Sequence, residues 1–197
     1  ADVDVEVVNR APVSAVATGS SDALDRLTLE TRDGRLVIGE KKYAGDENRR
    51  ALPGAVTIRV NAANLRSATL AGAGSLRVDQ LKGARVTIGL RGPGQISVGA
   101  IAADRLNVAM LGNGTMTLAG KAKQGQLNLS GAGVVDAGKL AIDDLISDSE
   151  GAGDHIFNAA KTAAVTARGV GRVVVLGRPA CTVRNLGTGS VTCGSGK

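Results

Sequence analysis

The chain has 197 residues, of which 28 are glycine, and it contains one tyrosine, one phenylalanine and no tryptophan. That length suits one domain, and no run of 18 apolar residues is present to cross a membrane as a helix. The net charge of +6 is uneven, with eight Lys/Arg against two Asp/Glu in residues 61–130, yet no aromatic platform interleaves these bases and nucleic acid is not expected as a partner.

In chain order, the first residue is Ala1 rather than Met, as in a mature or trimmed chain. Acid and valine then alternate through Val3, Val5 and Val7, which predicts an opening strand. Two apolar runs, Leu24–Thr31 and Arg35–Ile38, flank Asp33-Gly34, a tight-turn signal compatible with a hairpin or a coil corner. Residues Lys41 to Gly54 are polar and hold the only tyrosine, Tyr43. They predict a surface loop, either a contact site or a solvated insertion. Residues 1–55 read as irregular N-terminal coils and a cap, and 56–197 as the regular part of one domain, 1–197.

From Val56 a repeat takes over. Gly-x-Gly recurs at Gly72, Gly92, Gly112, Gly131, Gly151, Gly169 and Gly187, spaced by 20, 20, 19, 20, 18 and 18 residues. A period near 20 over seven copies marks stacked repeats rather than one globular core. After each pair, apolar residues fall on alternate positions: Leu76 and Val78, Ile96 and Val98, Met116 and Leu118, Val135 and Ala137, Val173 and Val175. Before the next pair the alternation returns at Val86, Ile88 and Leu90, at Leu106, Val108 and Met110, and at Leu127 and Leu129, with a third beat at Leu81, Ile101 and Leu140. Each repeat therefore offers two or three short strands with one buried face, separated by corners. One repeat cannot cover that face alone, whereas parallel stacking does. The predicted fold is all-β: a single-stranded right-handed parallel β-helix with coils of about 18–20 residues, the hand following the rule for parallel crossovers. Seven to nine coils would make a rod roughly 35–45 Å long. Leucine-rich, calcium-binding nonapeptide and left-handed hexapeptide repeats fit worse, because their diagnostic ladders are absent.

The two cysteines, Cys181 and Cys193, bracket the last glycine pair. They are expected to form a disulfide that locks the terminal coil, with free thiols as the alternative, and the bond requires an oxidising compartment. Twelve residues fall short of a full coil, so the final segment is expected to fold back as a cap.

Chemistry is sparse. Asp136, Asp143, Asp144, Asp148, Glu150 and Asp154 gather in one or two neighbouring coils. Such carboxylates can bind calcium or act as acid and base on polysaccharide; the plainer reading is outward-facing surface acid. His155 is the only histidine, and its register points inward or to a corner, where a buried, hydrogen-bonded histidine is the plainer reading than a catalytic one. Ser130, Ser147 and Ser149 lack a Gly-x-Ser-x-Gly elbow. Regular glycine pairs argue for corner geometry and not a phosphate loop. No catalytic, metal or cofactor-binding residues are assigned.

The runs Leu70-Ala-Gly-Ala-Gly-Ser-Leu76, Leu111-Gly-Asn-Gly-Thr-Met-Thr-Leu118, Leu129-Ser-Gly-Ala-Gly133 and Gly169-Val-Gly-Arg-Val-Val-Val175, with Gly177-Arg178-Pro179, resemble the head-GIN-domain putative adhesin family of bacterial cell-envelope proteins. The resemblance spans roughly Val13 to Cys193. It implies a right-handed β-helix, export beyond the inner membrane and an adhesin label, and it brings no catalytic residues. The repeat between Gly151 and Gly169 departs from the pattern: His155 and Phe157 stand at aliphatic positions, preceded by Ser147 and Ser149. The resulting expectation is a non-enzymatic periplasmic, outer-membrane-associated or extracellular β-helix binding polysaccharide or another envelope or surface protein. The alternatives are an acidic-polysaccharide-cleaving enzyme and a purely structural scaffold.

Overall fold

The computed structural model describes residues 3–10, 12–32, 35–40 and 55–195. Stacked parallel coils form a β-solenoid of about six turns, with 76% of the residues in strands and 4% in helix. The strands are β1 (Val3–Val8), β2 (Ser14–Thr18), β3 (Leu27–Arg32), β4 (Arg35–Glu40), β5 (Val56–Asn61), β6 (Ser67–Ala71), β7 (Ser75–Arg91), β8 (Gln95–Leu111), β9 (Thr115–Gly131), β10 (Val134–Gly151), β11 (His155–Gly169), β12 (Arg172–Gly177), β13 (Ala180–Asn185) and β14 (Ser190–Ser195). The helix α1 spans Ser21–Arg26 and is capped by the Ser20 hydroxyl, which accepts from the Ala23 amide.

The regular coils are β7 to β11. Each begins with a first wall, turns through a short third side and ends with a second wall. Register explains the sequence period: Leu76 pairs Ile96, Ile96 pairs Met116, and Met116 pairs Val135, so like positions stack along the rod. Each inward column is therefore a continuous file of side chains. Leu76, Ile96, Met116, Val135 and Val173 line the first wall, and Ile88, Val108, Leu127 and Val165 the second, all buried. Complete burial of each large aliphatic contributes about 1.5–3 kcal/mol, which makes the interior the main source of stability.

Two features differ from the sequence reading. The strands are long, 17 residues in β7, β8 and β9, because the chain bends between walls while continuing to pair with the neighbouring coils. The strands end at the glycine pairs, while the ladder shifts register where the first wall bends, between Val98 and Ile101 and between Asp136 and Lys139. At Gly131, φ is +121°, and a Cβ would run into the Gly112 carbonyl of the coil below. Handed geometry and close stacking together demand glycine there. The rod is also shorter than seven to nine coils, about 30 Å for six turns at the usual strand spacing. β2 runs antiparallel along β5, and β3 pairs antiparallel with β4, Arg32 opposite Arg35, so Asp33-Gly34 separates the arms of a hairpin. Ala23 is fully buried, with Leu24, Leu27 and Ile38 packed on the same core.

β1 is not at an end. It pairs in parallel with β5 on one side and β7 on the other.

At the opposite end β12 continues the first wall, β13 the second, and β14 starts another coil by pairing in parallel with β12. The final segment thus keeps climbing instead of folding back. Cys181 and Cys193 are nevertheless bonded, with Cα atoms 6.3 Å apart. Cys181 continues the second-wall column above Ala163, and Cys193 the first-wall column above Val175. Both columns point inward, so the bond crosses the end of the interior from wall to wall. Sequence separation alone does not reveal this path.

Candidate functional site

Register also builds the outer surface. On the second wall, Arg85, Arg105, Gln124, Asp144 and Thr162 occupy successive rungs of one outward ladder. Two positions on, Asn107, Gln126, Ile146, Ala164 and Thr182 form a second. Between them runs the inward column of Leu106, Gly125, Leu145 and Ala163. A groove of about 720 Å³ lies over these ladders along the rod axis. Gly125, on the inward column, leaves room for the buried Ile142 side chain, which a Cβ there would meet at 2.9 Å. The lining grades from guanidinium groups through amides to a carboxylate and hydroxyls. Arg105 Nε donates to Gln124 Oε1 at 3.3 Å, and Thr162 Oγ1 donates to Asp144 Oδ1 at 2.8 Å. Ile146 is 58% exposed and supplies an apolar floor.

The acidic residues singled out in sequence do not converge. Asp143 pairs with Lys161 at 2.8 Å, Asp148 with Arg168 at 2.7 Å and Asp154 with Arg172 at 3.6 Å, each across adjacent coils. Asp136 accepts from the Gly138 amide, and Asp144 belongs to the groove. Glu150 is exposed beside its register partner Arg168. Among the described residues no three Asp, Glu, His or Cys side chains come together as metal ligands. A parallel charge ladder adds Lys123 on Asp104 at 2.8 Å. The hydrogen bond to Asp104 raises the Lys123 pKa, and the bond to Asp143 does the same for Lys161. The bases of the middle third are spread around the rod: Arg77 on the first wall, Lys82 and Lys121 on the third side, Arg85 and Arg105 in the groove.

His155 occupies the inward first-wall column between Val135 and Val173 and is only 4% exposed. Its ring stacks on Phe157, centroids 6.1 Å apart. Burial pushes its pKa down to about 4, with Asp154 opposing in part. Nδ1 has no hydrogen-bond partner among the described residues, contrary to the expectation of a fully bonded histidine. Ser147 and Ser149 are buried in second-wall columns otherwise filled by Leu127 and Leu129. Ser149 Oγ donates to the Thr166 carbonyl at 3.5 Å, while Ser147 Oγ is unpartnered. A void of about 10 Å³ adjoins Ser149, Gly153 and His155. None of these groups reaches a substrate-sized opening, so they form a polar defect in the core.

Residues 41–54, the contact loop of the sequence reading, lie outside the described residues. The groove was missed. Its signal is present in the chain, but only when the spacings of 20, 19, 20 and 18 residues are applied to outward rather than inward positions.

A family model described as putative auto-transporter adhesin, head GIN domain, matches residues 1–179. No curated protein matches the sequence. The fold is similar to that of a putative adhesin from Bacteroides fragilis, with a TM-score of 0.82, 21% identity, and 98% of this chain and 88% of that one covered. It is also similar to a putative lipid binding protein from Parabacteroides distasonis, with a TM-score of 0.74, 19% identity, and 98% and 89% covered. A putative adhesin from Parabacteroides merdae follows at 0.72, 16% identity, and 97% and 88%.

Proposed function

The chain belongs to the head GIN domain family of putative auto-transporter adhesins, and from that premise we propose that it is an exported, non-catalytic rod that binds extracellular polysaccharide along its second wall. The observation that carries this reading is the groove. One polar side chain per coil, Arg85, Arg105, Gln124, Asp144 and Thr162 in turn, projects into it at a spacing of about 4.8 Å over five coils. Repeated hydrogen-bonding groups in a shallow open trough suit a polymer with repeated hydroxyls. Arg85 and Arg105 at one end favour acidic sugar units there. An intrachain disulfide supports export to the periplasm, outer membrane or cell exterior.

The acidic residues favour binding over cleavage. A polysaccharide-cleaving pair needs two carboxylates facing one bond. Asp143 and Asp144 instead engage Lys161 and Thr162 separately. The lipid label of the Parabacteroides distasonis neighbour implies an apolar recess, whereas this groove is rimmed by charge and amides. The direct test is titration of acidic and neutral polysaccharides into the protein and into Arg105→Ala and Gln126→Ala variants. Loss of binding in both, with folding unchanged, supports the groove. Binding that ignores both substitutions overturns it.

A further inference from the structure

The coils are related by a register of 18 to 20 residues, except at one place. β6 stacks under β7 in that register, with Ala68 on Ile88 and Leu70 on Leu90. β5 immediately precedes β6 and carries the same phase, since Val56 and Ile58 stand 20 residues before Leu76 and Val78. It should therefore sit directly on β7. It does not, because β1 fills the position: Val5 pairs Ile58 on one side and Leu76 on the other, and Val7 pairs Val60 and Val78. The first wall of this coil is thus displaced by one strand spacing while its second wall is not. The step is made in residues 62–66, and Asn64 there, at φ +61°, is the single non-glycine with positive φ among the described residues. Backbone strain and inserted strand mark the same spot.

We propose that β1 is an exchangeable strand, and that its partner is a second copy of this chain. When β1 leaves, β5 closes onto β7 in the 20-residue register, so the opened molecule keeps its apolar columns and both faces of β5 keep their orientation, an even shift preserving the pleat. The released segment, with Val3, Val5 and Val7 on one face, enters another copy as β5 and β7 of that copy separate again to re-form the slot. Reciprocal exchange joins two rods at their N-terminal ends by the same ten register pairs that hold β1 in one chain. The hinge lies between β1 and β2, which flank β5 on opposite sides, where Pro12 and Val13 are exposed.

Glu6 and Arg59 report on this directly, because they are register partners joined by an ion pair of 3.3 Å, both exposed. Full-length Glu6→Cys and isotopically labelled full-length Arg59→Cys are mixed, warmed below the unfolding transition and oxidised with glutathione disulfide. Peptide mass mapping then counts links between labelled and unlabelled chains. Neighbouring strands give millimolar effective concentration, so for micromolar protein the interchain 6–59 link should exceed 6–6 and 59–59 links by on the order of 100-fold. The double variant, cross-linked within one chain before mixing, should show no exchange by size-exclusion chromatography. Interchain links in random proportion, or none while the double variant still closes its internal 6–59 bond, would overturn the proposal.

Discussion

Two neighbouring parts of the rod solve the same packing problem differently. From β7 to β9 the inward columns are aliphatic, and among the described residues the one ion pair that joins these coils is Lys123 with Asp104. Between β10 and the coil above it the interior holds Ser147, Ser149 and His155, and the exterior carries two ion pairs and the Thr162–Asp144 hydrogen bond, with Asp154 and Arg172 pairing one coil further on. The exposed pairs cannot replace the missing apolar contacts. Each is worth about 0–1 kcal/mol, against about 1.5–3 kcal/mol for a buried leucine. The polar junction is therefore the weaker one, held by its glycine stacking and backbone ladder.

Substitutions break this comparison in a defined order. Leu127→Ala, in the fully aliphatic region, should cost about 2–5 kcal/mol in urea unfolding. Acidification comes next and acts through His155. Its folded pKa, about 4, lies below the unfolded value of 6.5. Stability is therefore full above pH 6.5 and falls as the pH drops toward 4, because the unfolded chain takes up the proton first. The total loss is about 3 kcal/mol. His155→Val, matching Val135 and Val173 in its column, should flatten that pH dependence. Reducing the disulfide should cost about 2–4 kcal/mol and free β14 first, visible as faster hydrogen exchange at residues 190–195.

Ser147→Val sharpens the contrast from the other side. It removes an unpartnered buried hydroxyl and continues the file from Leu127 to Val165, so stability should rise by about 1 kcal/mol. Arg168→Ala should change stability least, by less than about 1 kcal/mol, and the change should vanish in 1 M salt.

The interior was legible in the sequence because alternation and the glycine pairs are local signals. Every aliphatic residue placed inward by alternation, from Leu76 to Val175, is buried. The departures at Ser147, Ser149, His155 and Phe157 were legible as departures, though not as a junction latched from outside. What escaped was non-local. The alternation of Val3, Val5 and Val7 predicts a strand, yet nothing near it in sequence names β5 and β7 as its neighbours. The groove depends on which outward residues stack, and register drifts from 20 to 18 residues along the rod. A sequence separation of twelve between the cysteines carries no sign that they lie on different walls.

The most direct test of the account passes a panel of acidic and neutral polysaccharides over the purified protein and follows polymer length and protein co-elution by size-exclusion chromatography. The account predicts co-elution with at least one polymer of unchanged length, lost in Arg105→Ala. Shortened polymer, or no co-elution with any member of the panel, would contradict it.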